Sequence, residues 1–237
     1  MQQDAPVVWG QIEGTTVTFP MEVADFDAAT LGWTVPAAAA QALLPGDAFE
    51  VIEVADGIAQ FVLALCDYRQ NPWGDYLEMN LGFLARPAGA GPEVLGSFVY
   101  RMPVDQAFTC AAGNQVMGFP KTVEDLAVER ADGRVRFSWR LGGELELAVS
   151  FAEPEQAGEP ARVETGSYSY LHGVPHETPL AMDMGTGAID VASVEVELGA
   201  GPVAAELRSL DLAGRAPDFG SWGTGLTATF QLGQPLS

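Results

Sequence analysis

Apolar and polar residues alternate with a period of two along much of this chain, the spacing that turns one face of a β-strand to a core and the other to water. The runs 15–19, 49–54 and 94–100 carry this pattern on β-branched and aromatic residues. It is clearest between residues 126 and 151, where segments 126–130, 134–140 and 144–151 are joined at Ala131-Asp132-Gly133 and Gly142-Gly143, both suited to tight hairpins. In the middle segment Val135, Phe137 and Trp139 share one face, while Arg134, Arg136, Ser138 and Arg140 share the other. In the third, Leu145, Leu147, Val149 and Phe151 oppose Glu144 and Glu146. A three-stranded meander with one buried face is therefore predicted, its outward arginines and glutamates pairing across the strands.

Further strands are predicted at 192–198 and 225–232. Helical spacing is confined to 36–44, 104–112 and 202–210, the last after Gly199-Ala200-Gly201. Residues 152–166, rich in Pro, Glu, Gly and Ala, read as an exposed connection. No internal repeat is evident. The expected architecture is a single domain over residues 1–237, mainly β (α+β), antiparallel, with a few short helices.

Composition narrows the functional classes. With 48% apolar residues the chain can bury a substantial core. No apolar run reaches the roughly 18 residues needed to span a bilayer. Met1-Gln2-Gln3-Asp4 carries no basic residue and leads into no apolar segment, so a soluble cytoplasmic protein without a secretory signal is expected. Thirty-two acidic residues against 11 basic ones give a net charge of -21, which repels phosphate backbones and anionic membranes alike. Neither nucleic acid nor membrane is an expected partner. Cys66 and Cys110 belong to no CxxC and read as buried free thiols rather than a disulfide.

Three weak motifs carry little chemistry. His172-Gly173-Val174-Pro175-His176 has the spacing of two metal ligands, but Gly and Pro prevent the helical turn that would align them. Both histidines are expected in a loop, and no metal or other cofactor is implied. Gly220-Ser221-Trp222-Gly223 is not a nucleophile elbow, and Gly185-Thr186-Gly187 lacks the third glycine of a nucleotide fingerprint.

Lys121 is different in kind. The chain holds ten arginines but this single lysine, although lysine is ordinarily among the commonest residues. A bias toward arginine codons would thin lysines generally and leave strays on the surface. Lys121 instead follows Gly113-Asn114-Gln115-Val116-Met117-Gly118-Phe119-Pro120, an apolar segment punctuated by Gly and Pro. Val116, Met117 and Phe119 offer the apolar surround that favours a neutral, nucleophilic amine.

The run Gly118-Phe119-Pro120-Lys121 resembles the active-site segment of the acetoacetate decarboxylase superfamily, whose Schiff-base lysine follows a proline. Gly74-Asp75-Tyr76-Leu77-Glu78 resembles the family's Gly-x-Tyr-x-Glu, and Tyr168-Ser169-Tyr170-Leu171 a later segment. Gly201-Pro202 with Leu207 and Leu210, then Leu226-Thr227-Ala228-Thr229-Phe230, resemble its C-terminal helix and closing strand. The likeness runs from about residue 30 to the end. It implies a cone-like antiparallel β-barrel, a homo-oligomer, a small-molecule carbonyl substrate, and catalysis by Lys121 with Glu78. Tyr76, Met117, Phe119, Gln115 and Trp73, which lie in or beside the two motif segments, are the candidate substrate-binding residues, although Trp73 and Met117 suit the core equally.

The sequence departs from the family at four points. Acetoacetate decarboxylase is itself the standard example of a lysine activated by a neighbouring cation, a second lysine directly after the first. Thr122 stands at that place here, so desolvation is left to favour the neutral amine. No basic residue precedes Arg69, so the family's N-terminal carboxylate-binding arginine has no counterpart. Val62 falls at the position of an upstream glutamate. Gly113-Asn114-Gln115 replaces Gly-Arg-Glu. The expected function is a Schiff-base lyase of decarboxylase or aldolase-dehydratase type, acting on a small carbonyl compound or oxo-acid, with a preference for larger or less charged substrates. The alternative is a non-covalent binding or cyclase-type scaffold of the same fold.

Overall fold

The period-two runs become strands, most of them longer than the sequence pattern that betrays them. The computed structural model describes residues 6–236; the reading of Met1-Gln2-Gln3-Asp4 lies outside them. A hairpin of β1 (Val7–Ile12) and β2 (Thr15–Phe19) leads into β3 (Met21–Pro36) and α1 (Ala37–Gln41). Then come β4 (Phe49–Val51), β5 (Glu53–Ala55), β6 (Ile58–Gln70), β7 (Tyr76–Pro87) and β8 (Gly96–Val104). Helix α2 (Ala107–Ala112) runs directly into a π-helical turn, Gly113–Met117, followed by β9 (Lys121–Val123). The meander is β10 (Asp125–Ala131), β11 (Arg134–Leu141) and β12 (Glu144–Ala152). The chain closes with β13 (Ala161–Leu171), β14 (Val174–Met184), β15 (Gly187–Ala188), β16 (Glu195–Leu198), α3 (Pro202–Ser209), β17 (Phe219–Phe230) and β18 (Gln234–Pro235).

Strands β17, β3, β6, β7, β8, β13 and β14 lie side by side in that order, and β14 pairs back with β17. The result is a closed barrel of seven strands. A ring with an odd number of strands cannot alternate direction all the way round, so one seam must be parallel. That seam is β8–β13, through Gly166↔Gly96, Ser167↔Ser97 and Tyr168↔Phe98. Strand β9 also joins β8 in parallel. The expected antiparallel barrel therefore holds, with this correction. One seam of the barrel and its β9 extension are parallel.

The meander and β16 form a second sheet, whose apolar face packs on the barrel. Val135, Phe137, Trp139, Leu147, Val149 and Phe151 share a core with Leu31, Trp33, Phe61, Leu63, Phe83 and Trp222. The other side chains of the same barrel strands, among them Phe26, Ala28, Cys66, Tyr68 and Tyr76, join a second core with the β1–β2 hairpin and the α2 region. Barrel strands β3, β6 and β7 are thus buried on both faces, which replaces alternation by near-continuous apolar runs. That is why the period-two pattern does not mark them.

Several boundaries move. Run 49–54 breaks at Ile52, whose N–H bonds to Leu84 O, and becomes two short strands. Run 192–198 opens with a 3₁₀ turn, Val191–Ser193, and run 225–232 is the end of a strand that starts at Phe219. The connection expected over 152–166 ends at residue 160. Arg134 and Arg136 pair not within the meander but with Glu195 and Glu197 of β16. Glu146 is buried rather than outward, and its Oε2 accepts from Ala204 N–H at 3.0 Å at the start of α3. His172 and Gly173, both with positive φ, form the β13–β14 turn. His176 is a buried residue of β14, not a loop histidine. Both cysteines are free thiols, but only Cys66 is buried; Cys110, expected buried too, is half-buried on α2. Among the described residues no helix is long and apolar enough to cross a membrane.

Candidate active site

The site is built where the β6–β7 turn, α2 and the lysine segment meet. Asn71 closes the turn: its Nδ2 donates to Gly74 O at 2.8 Å and its Oδ1 accepts from Trp73 N–H at 2.9 Å. Gly74 supplies a left-handed φ of 87°. Strand β7 therefore starts with Tyr76 inward, and Glu78, two residues on, shares its face. The antiparallel register sets Tyr68 opposite Tyr76 and Cys66 opposite Glu78.

Helix α2 is anchored to the same turn. Gln106 accepts from Thr109 N–H at 2.7 Å and donates to Trp73 O at 2.6 Å. The widened π turn then carries the chain to Gly118, whose φ of 67° ends it. A Cβ on Gly118 would lie 2.5 Å from Tyr170 O, so backbone approach as well as φ demands glycine here. Ser169 Oγ donates to Met117 O at 2.6 Å and ties the turn to the barrel.

Lys121 enters β9 opposite Met102 of β8, and its side chain returns over the π turn. A Cβ on Gly113 would lie 2.6 Å from Lys121 Cδ, so the lysine stem occupies the space a side chain there would fill. Nζ lies 2.6 Å from Glu78 Oε2, donates to Thr109 Oγ1 at 3.1 Å, and sits 5.0 Å over the Tyr76 ring. Glu78 Oε1 accepts from Asn80 Nδ2 at 3.0 Å. The side chains of Lys121 and Glu78 are 3% and 6% exposed.

The neighbours of this ion pair are neutral. Burial pushes the Cys66 thiol up, with the Glu78 carboxylate adding to the effect. Burial likewise raises the Tyr68 and Tyr76 hydroxyls well above the ordinary phenol range. Tyr76 stacks on Tyr68 at 4.6 Å, and Tyr68 on Phe26 at 5.2 Å. A charged pair thus lies at the end of a three-ring aromatic wall.

Of the residues singled out in the sequence, Glu78 and Tyr76 both meet the Lys121 amine, and Met117, Phe119 and Trp73 lie with Tyr76 in one apolar cluster. Gln115 does not join them. It is exposed on the outside of the π turn, and its neighbour Asn114 makes the contacts to Lys121. Val62 pairs with Gly82, four residues along β6 from Cys66. Arg69 binds Asp25 and Asp27 on β3, and Arg101 binds Glu206, so neither reaches the amine. Sequence reasoning missed Thr109, Asn114, Asn80 and Cys66. The replacement of the family's Gly-Arg-Glu by Gly113-Asn114-Gln115 was the one available signal, and it pointed to Asn114 as well as Gln115. Among the described residues no cluster of three or more His, Cys, Asp or Glu is placed to hold a metal.

The family model described as acetoacetate decarboxylase matches residues 5–222. Three solved structures share the fold. Acetoacetate decarboxylase from Legionella pneumophila subsp. pneumophila str. Philadelphia 1 is 16% identical with a TM-score of 0.63, covering 92% of this chain and 87% of its own. An acetoacetate decarboxylase-like enzyme from Sphingomonas wittichii RW1 is 15% identical with a TM-score of 0.63, covering 98% and 100%. The enduracididine biosynthesis enzyme MppR, solved with pyruvate, is 15% identical with a TM-score of 0.65, covering 99% of each chain. At these identities the likeness is one of fold. Among curated proteins none matches.

Proposed function

The chain belongs to the acetoacetate decarboxylase family, and from that premise we propose that it is an enzyme that holds a small carbonyl compound as an imine on Lys121. One observation carries the reading. The only lysine of the chain is buried with its Nζ 2.6 Å from the carboxylate of Glu78. That contact supplies a nucleophile and a proton carrier in one place. Passing the ammonium proton to Glu78 frees the amine to add to the carbonyl. Glu78 then protonates the departing hydroxyl, water leaves, and a cationic iminium faces the carboxylate. The Tyr76 ring face favours that cation, by about 2 kcal/mol in a desolvated site. Decarboxylation and aldol or dehydration chemistry both proceed from this intermediate.

Trapping tests the reading directly. Incubation with acetone, acetoacetate or pyruvate, followed by borohydride, should add the corresponding mass to the intact protein and leave folded Lys121→Ala unmodified. Lys121→Arg should abolish turnover and preserve the fold.

One observation favours a second reading. The Lys121 ammonium is already satisfied by Glu78 and Thr109 and is almost sealed from solvent. A scaffold that binds an apolar molecule without covalent chemistry would keep the pair in that state. Absence of any adduct from the folded protein would select this reading.

A further inference from the structure

The charges around Lys121 set the charge its substrate can carry, an inference that rests on the imine reading above. Lys121 and Glu78 sum to zero, and no third charged group is in contact with them among the described residues. Arg69, the one arginine of β6, is held by Asp25, Asp27 and Asp67. Arg130 is held by Asp27, and Arg101 by Glu206. The wall beside the amine is Phe26, Tyr68 and Tyr76, with Cys66 facing Glu78. All of these are neutral, and none is a cation that would hold a carboxylate.

A carboxylate-bearing substrate would therefore place a second negative charge beside Glu78 in a site that water scarcely reaches. Like charges in a desolvated space repel strongly, and a buried anion without a partner is costly. An uncharged carbonyl compound meets no such opposition, because the site stays neutral at each step.

We propose that Lys121 takes an uncharged aldehyde or ketone, and that its carbon–carbon step is an aldol-type addition or the reverse, not loss of carbon dioxide. The neutral amine adds to the carbonyl carbon, Glu78 protonates the hydroxyl, and water leaves. The iminium cation then balances the Glu78 carboxylate. Glu78 removes a proton from the α-carbon, leaving a neutral enamine and a neutral acid. The enamine carbon forms a bond to a second uncharged carbonyl, and Glu78 protonates the new alkoxide. Water hydrolyses the iminium, the proton this sets free returns to the Glu78 carboxylate, and a β-hydroxy carbonyl compound and the neutral amine are released. No oxidant or reductant enters.

The test masks the charge on one carbon skeleton. Pyruvate is compared with methyl pyruvate, and acetoacetate with methyl acetoacetate, by borohydride trapping and intact mass. Each yield is normalised to that compound's imine yield with a free lysine derivative, and Lys121→Ala is the blank. Each ester should give at least about ten times the normalised adduct of its acid, the ratio that a difference of roughly 1.4 kcal/mol produces. Acids that match or exceed their esters, or release of carbon dioxide from acetoacetate that depends on Lys121, would overturn the substrate class and leave the imine standing. No adduct from any of the four, with the protein folded, would overturn the imine reading and this inference with it.

Discussion

Asn114 grips both backbone polar groups of Lys121. Its Oδ1 accepts from Lys121 N–H at 2.9 Å, and its Nδ2 donates to Lys121 O at 3.1 Å. The side-chain amide acts as a short stretch of neighbouring strand would, fixing where β9 begins and hence where the lysine stem starts. Cys110 Sγ shares the Lys121 carbonyl at 3.3 Å. Asn114→Ala should leave the barrel folded while borohydride-trapped adduct falls by about ten-fold or more, since two hydrogen bonds of about 1 kcal/mol each are lost. Asn114→Asp keeps the acceptor alone and should fall between the two. An Asn114→Ala protein that traps as well as the parent would show that β9 is held without the clamp.

The ion pair makes a prediction about stability that is separate from chemistry. Removing one partner of a buried pair strands the other, which typically costs about 3–5 kcal/mol. Glu78→Leu, which leaves the Lys121 ammonium unpaired, should lower stability by an amount of that order in denaturant unfolding. Adding Lys121→Met to it should recover most of the loss, because two apolar side chains then replace two charges. Loss that persists in the double variant would mean that the shape of the site, not the pairing of its charges, dominates.

Two glycines in the lysine segment should respond differently to the same substitution. Gly113 has helical φ, so Ala is acceptable to the backbone, but its methyl would meet the Lys121 stem 2.6 Å away. Gly113→Ala should fold, with Lys121 displaced and adduct formation reduced. Gly118 has φ of 67° and faces the fixed carbonyl of Tyr170. Gly118→Ala should be destabilised by about 1–3 kcal/mol from backbone strain alone. Thermal melts alongside trapping separate the two outcomes.

How much of this was legible in the chain follows from what each residue faces. The meander was readable because Arg134, Arg136 and Ser138 lie on its outer face while Val135, Phe137 and Trp139 are buried in the core. Strands β3, β6 and β7 were hidden because residues such as Leu31 and Phe26 are buried on opposite faces of one strand. Lys121 and Glu78 could be picked out because one is unique in the composition and both sit in recognisable local motifs. Asn114 and Gln115 could not be told apart. Which of them faces Lys121 depends on the phase of the π turn, and a hydrogen-bond pattern of that kind leaves no mark in apolar spacing. Thr109 was hidden for a related reason. A small hydroxyl acquires its role only when a lysine twelve residues later folds back over it.

Acid should expose the joint between the two sheets. Asp27 of β3 is almost wholly buried and accepts from Arg69, from Arg130 of the meander, and from Gly225 N–H at 2.9 Å. Burial alone would raise its carboxyl, but the hydrogen bonds from Arg69, Arg130 and Gly225 outweigh it and hold the group below the usual carboxylate range. A carboxyl lowered by folding stabilises the native state fully above its unfolded value. That contribution is lost as pH falls through the lower, folded value. Arg130 also stacks over Trp222 at 4.9 Å, so protonating Asp27 loosens the arginine that links β10 to β3 and β17. Denaturant midpoints of the parent should therefore fall on acidification below the ordinary carboxylate range. Asp27→Asn, less stable at neutral pH, should lose less over the same interval. Parallel pH curves for the two proteins would place the acid sensitivity at another carboxylate.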